Sequence, residues 1–178
     1  FERYPWRERS NALYTEINFS LTHTQEPLLL AIQCVGRVLR EPTLSSSSRD
    51  AQTQHQRLVI EDAELLCKVF FCLSWQELPP YFEDNLAVFM AELRNLLTYA
   101  NPAFDDDTET EPTCVEKLQM SVLETINLYE SKHDEEFRPF LKPFVQDTWQ
   151  LLTQNSESSR NDGVVTTGIK FLTTVARS

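Results

Sequence analysis

The sequence predicts an all-α fold of antiparallel helix hairpins stacked in series, and three observations predict it. Apolar residues recur at helical spacing along nearly the whole chain, so amphipathic helices follow one another with few interruptions. Glycine is scarce, with 3 residues in 178, and 9 prolines fall mostly near helix ends. That composition does not supply the tight glycine turns an all-β chain needs. Short and long connectors also alternate regularly, the pattern expected when helical hairpins are strung together.

Taken in order, the periodicity places helices at about residues 10–22, 25–40, 51–75, 80–99, 113–132, 136–154 and 162–177. Pro27 marks the expected bend between the first two, and Pro79 and Pro80 the bend before the fourth. Thr113 and Glu116 have the spacing of a capping box at the start of the fifth. Pro112 and Pro139 sit where a helix must end or can just begin. Short bends therefore join 10–22 to 25–40, 51–75 to 80–99 and 113–132 to 136–154. Polar connectors, "EPTLSSSSRDAQ", "NPAFDDDTETEP" and "NSESSRND", follow each pair.

The hairpins repeat. A shift of 55 positions carries Phe82 onto Phe137, Phe89 onto Phe144 and Leu96 onto Leu151, and in the preceding helices Ala63 onto Leu118 and Cys67 onto Val122. A shift of 58 carries Leu28 onto Leu86 and Val35 onto Leu93. A hairpin with apolar surface on both sides cannot bury it alone and stacks on its neighbours. The expected architecture is thus a HEAT-type right-handed solenoid of about three and a half repeats. It forms one continuous segment over 1–178, with hairpins at about 10–40, 51–99 and 113–154 and the lone first helix of a further repeat at 162–177. The start at Phe1 without Met suggests a piece of a longer protein.

The formal net charge is −11. It argues against a phosphate backbone as partner, since nucleic-acid binding needs clustered Lys and Arg, and it favours basic protein partners. No apolar run is long enough to insert in a membrane. Cys34, Cys67, Cys72 and Cys114 lie scattered among apolar residues without zinc-ligand spacing, and are expected as buried free thiols in a reducing compartment.

No catalytic constellation assembles. His23, His55 and His133 lie in separate segments, where surface or capping roles are expected, and Gly36, Gly163 and Gly168 are too isolated to cradle a phosphate. Asp105, Asp107, Glu109, Glu111 and Glu116 fall on EF-hand positions 1, 3, 5, 7 and 12, but Thr110 replaces the obligatory glycine, so no calcium is expected. The run "SSSS" at 45–48 reads as a loop, and "NFS" at 18–20 matches a glycosylation acceptor inside a helix, where it is discounted. No cofactor is implied. Between classes, a binding scaffold is favoured over a helical enzyme.

At "LCKVFFCLSWQELPPYFEDNLAVFMAELRNLLTY" (66–99) the chain resembles the importin-α re-exporter (exportin-2) family of the importin-β superfamily, most closely in "LPPYFEDN". "YESKHDEEFRPFLKPFVQDTWQLL" (129–152) and the opening "FERYPWRERSNALYTEI" are similar to later and earlier stretches of that family, while the loops at 41–57 and 101–112 are not matched. The resemblance implies an internal slice from the N-terminal half of a non-catalytic nuclear transport receptor. Such receptors bind importin-α together with GTP-bound Ran, pass nuclear pore proteins, and shuttle between nucleus and cytoplasm. A different HEAT scaffold, such as a regulatory subunit of a phosphatase or kinase complex, is the alternative. In such arrays the second helix of each hairpin generally lines the concave face. Polar residues on those helices, Glu92, Arg94, Asn95, Gln146, Asp147 and Gln150, are therefore the candidates for partner contact.

Overall fold

A computed structural model describes residues 6–41, 49–75, 77–104, 111–153 and 162–178, with side chains from residue 23 onward in the first stretch and from residue 52 in the second. Every regular element among them is helical: α1 (Trp6–Arg40), α2 (Arg49–Ser74), α3 (Pro80–Asp84), α4 (Leu86–Leu97), α5 (Cys114–Lys132), α6 (Asp134–Thr153) and α7 (Asp162–Val175), with one 3₁₀ turn at Pro102–Phe104. The helices form two layers. In the first, α2 packs on α5 and α5 on α7, and in the second, α1 packs on α4 and α4 on α6. This is the solenoid arrangement predicted, with first-layer helices alternating with second-layer ones along the chain.

The helices differ from expectation at three places. The predicted break between 10–22 and 25–40 does not occur, because α1 runs unbroken through Pro27. A proline inside a helix removes one donor and crowds the carbonyl four residues back. Pro27 is exposed, so its ring lies on the solvent side of α1. Beyond it, Leu28, Leu29 and Ile32 are buried and anchor the continuation. The expected hairpin over 10–40 is therefore a single helix. In the same way α6 continues through Pro139 and Pro143, held by buried Phe137, Phe144, Thr148 and Leu151, so Pro139 lies inside the helix rather than at its start.

The reverse occurs at 80–99, where the expected single helix is split at Asn85. There φ is −111° and ψ 14°, and the Asn85 Nδ2 donates to the Tyr81 carbonyl at 2.8 Å. An amide side chain that competes for a helical carbonyl ends the local turn. Ahead of it, Pro79 in extended conformation and Pro80 at the first helical position start α3 as a rigid bend. The capping box at α5 is present as predicted. The Thr113 backbone N–H donates to Glu116 Oε2 at 2.9 Å, and the Glu116 N–H to Thr113 Oγ1 at 3.2 Å.

The core shows why the hairpins repeat. Phe82 and Phe89, and their counterparts Phe137 and Phe144, are all fully buried. Phe70 of α2 stacks on Phe89 at 4.4 Å between centroids and on Tyr129 of α5 at 5.5 Å. The chain of rings continues from Tyr129 to Phe137 at 6.2 Å and from Phe137 to Phe144 at 5.6 Å. One aromatic spine thus crosses from one hairpin to the next. Ser74 and Tyr129, which the 55-residue shift superimposes, touch through their hydroxyls at 2.9 Å.

The cysteines divide. Cys67 is buried, as expected, and Cys114 half-buried, but Cys34 and Cys72 are exposed. Each of the exposed pair lies on the solvent side of an amphipathic helix, a placement that cysteine's usual preference for the interior did not anticipate.

One core position is mismatched. Thr148 is fully buried on α6, and its Oγ1 has no hydrogen-bond partner. A buried hydroxyl without a partner costs about 1–3 kcal/mol. Thr148→Val keeps the shape and removes the polar atom, so a urea titration should show the midpoint rising, by about 1 kcal/mol in stability. A fall would mean that the hydroxyl is satisfied in solution.

Candidate partner-binding face

The second layer carries all six residues predicted as partner contacts, with Glu92, Arg94 and Asn95 on α4 and Gln146, Asp147 and Gln150 on α6. Four of the six take part in links between or within helices. Arg40 of α1 holds Glu92 in a fork, with Nη1 donating to Oε2 at 2.8 Å and Nη2 to Oε1 at 3.3 Å. Asn95 Nδ2 adds a longer contact to Glu92 Oε2 at 3.4 Å. Arg94 holds Asp147 the same way, through Nε to Oδ2 at 2.6 Å and Nη2 to Oδ1 at 3.1 Å. These hydrogen bonds raise both guanidinium groups above their ordinary pKa, which keeps them charged at any working pH. Gln146 and Gln150 are exposed.

Sequence reasoning passed over Trp149. It sits between Gln146 and Gln150 on the solvent side of α6 and is 63% exposed. A large aromatic held open to water is among the commonest anchors of protein interfaces. The repeat shift carried the signal, because 55 positions take Arg94 onto Trp149. A tryptophan at a position that is polar in the preceding repeat has no core to fill.

The edge where each hairpin turns is a separate cluster. Lys132 Nζ donates to the Trp75 carbonyl at 2.7 Å and lies 4.3 Å from the centre of the Trp75 ring. His133 Nε2 lies 2.9 Å from the Ser74 carbonyl, an arrangement in which the ring nitrogen donates. His133 is the C-terminal cap residue of α5 and is buried, so its expected capping role is filled, whereas His23 and His55 are exposed. This edge fastens successive repeats.

Among the described residues no group of His, Cys, Asp and Glu is placed to hold a metal ion, and no helix is long and apolar enough to cross a membrane. Of the acidic EF-hand positions, Glu116 is engaged in the cap of α5. Asp105, Asp107 and Glu109 lie outside the described residues, as does the serine run at 45–48.

A two-layer array of stacked hairpins, with polar links and an open tryptophan on its second layer, defines an α-solenoid of the HEAT type. Within that class the chain belongs to the Cse1 family, whose model matches residues 1–178. It is 36% identical over 184 residues to a protein named Exportin-2 from Dictyostelium discoideum, covering 99% of this chain and 18% of that protein. Exportin-2 from Homo sapiens is 32% identical over 175 residues, covering 98% of this chain and 17% of the relative. A Schizosaccharomyces pombe protein named Importin-alpha re-exporter is 33% identical over 177 residues, with 99% and 17% covered. Among solved structures, the exportin Cse1 in its cargo-free, cytoplasmic state is similar with a TM-score of 0.79 and 28% identity, over 94% of this chain and 18% of that one. The chain thus spans under a fifth of the length of these relatives.

Proposed function

We propose that this segment is part of a nuclear transport receptor that carries importin-α from nucleus to cytoplasm in complex with GTP-bound Ran, passing nuclear pore proteins on the way. The observation that carries the reading is the family match along the whole chain, to relatives named for importin-α re-export. The segment acts as a non-catalytic binding scaffold within a continuous array. Its contribution is the outer face of the second layer, where Asn95, Gln146, Trp149 and Gln150 meet a partner and the Glu92, Arg94 and Asp147 links hold the helices beneath them in register. The acidic balance suits a basic cargo, since opposite charge speeds encounter.

Cooperation between cargo and Ran is a coupling free energy and must be reciprocal. The test is a titration of importin-α into the full-length protein, with GTP-bound Ran, GDP-bound Ran or neither. Binding strengthened about 5- to 150-fold by the GTP form alone is expected. Equal binding in all three conditions would overturn the reading.

A further inference from the structure

We infer that the ion pairs of the second layer form a head-to-tail ladder of clips that sets the spacing of α1, α4 and α6, and with it the curvature of this part of the array. The two clips are built alike. In each, an arginine on one helix forks onto a carboxylate of the next second-layer helix, 52 residues on for Arg40 and Glu92 and 53 for Arg94 and Asp147. The carboxylates are the shielded ends, at 13% and 12% side-chain exposure, and the arginines the open ends, at 46% and 44%. Helix α4 carries both halves two residues apart, receiving at Glu92 and giving at Arg94. On α6 the receiving position is filled by Asp147, but Trp149 stands where the giving arginine would be.

The backbone is adapted to the first clip. Gly36 of α1 lies beneath it, and a Cβ there would collide with Glu92 Oε2. The absent side chain leaves the room in which the Glu92 carboxylate reaches Arg40.

The first layer is fastened by different physics, since its charged side chains Lys132 and Glu130 meet neutral partners, the Trp75 carbonyl and ring and the Ser178 hydroxyl, rather than an opposite charge. There α2 meets α5 through the Phe70–Tyr129 stack and the buried Ser74–Tyr129 hydrogen bond, and α5 meets α7 through Thr174 Oγ1 donating to Asn127 Oδ1 at 2.7 Å. Buried apolar and neutral contacts hardly respond to salt, whereas half-exposed ion pairs do. One layer therefore keeps its spacing while the other can open, and a two-layer array bends when its layers differ in length. Small angles at successive repeats add along a solenoid.

The test uses the full-length protein with other reactive thiols replaced, Cys72→Ser among them, and reads distances between paired spin labels. One pair, on Cys34 and Gln146→Cys, spans the second layer from α1 to α6. The other, on Leu65→Cys and Ile169→Cys, spans the first from α2 to α7. Raising salt from about 0.1 M to about 1 M shortens the screening length from about 10 Å to about 3 Å. That change, or Arg94→Gln, should shift the second-layer distance longer and broaden it while the first-layer distance stays fixed. Gly36→Ala should do the same without altering any charge, and Arg94→Glu combined with Asp147→Arg should restore the original distance. A second-layer distance indifferent to all of these, or two distances that move together, would overturn the proposal.

Discussion

Phe70→Ala should destabilise the chain more than any other single truncation, by about 3–5 kcal/mol. Phe70 is fully buried and sits at the branch point of the aromatic spine, 4.8 Å from Phe82, 4.4 Å from Phe89 and 5.5 Å from Tyr129 between centroids. Truncation removes the ring's own burial and leaves a cavity bounded by three other rings, which cannot collapse into it without leaving their own contacts. Because Tyr129 belongs to the next hairpin, the loss also weakens the joint between repeats. Urea unfolding followed by circular dichroism checks this, and a loss under about 1 kcal/mol would mean that the spine is not continuous.

The second large effect is alkaline destabilisation through Cys67. Burial, with a smaller contribution from Glu64, pushes its thiol up from 9.0 to about 12. The folded chain therefore keeps the proton in a range where the unfolded chain has lost it. Stability from this group is fully present below pH 9, falls as pH rises through the window from 9 to about 12, and levels off above it. At 1.36 kcal/mol per unit the loss is roughly 4 kcal/mol. Tyr129, also raised by burial, steepens the same limb at its upper end. The repeat suggests a control, because the 55-residue shift places Val122 at the matching position. Cys67→Val should flatten the fall across that window, as measured by denaturant midpoints at successive pH values. An unchanged slope would show that the thiol does not govern it.

Much of this fold was legible in the sequence because the same physics acts twice. The register of Phe82 with Phe137 and Phe89 with Phe144 follows from spacing alone, and all four are buried as their periodicity requires. The cap at Thr113 is equally local, since both partners lie within four residues. The helix boundaries at Pro27, Pro139 and Asn85 were less readable. Whether a proline ends a helix depends on whether its ring can face water and on what is buried beyond it. Both are tertiary facts.

The candidate face was legible in place but not in connection. Choosing polar residues on second helices led to Glu92, Arg94 and Asp147, yet nothing local shows that Arg40 lies opposite Glu92 across 52 residues or that Arg94 meets Asp147. Such pairs exist only once the helices are stacked. Trp149 was overlooked because aromatic residues are usually core, but it lies five residues beyond Phe144, on a different face of α6, and is 63% exposed.

The central claim is that the outer face of the second layer meets the transported partner, and hydroxyl-radical footprinting of the full-length protein tests it most directly. The chain carries its own control, since Trp75 is 49% exposed at the hairpin edge and Trp149 63% on the candidate face. In complex with importin-α and GTP-bound Ran, oxidation of Trp149 should fall while that of Trp75 is unchanged. Trp149 oxidised as fast in the complex as in the free protein would contradict the account.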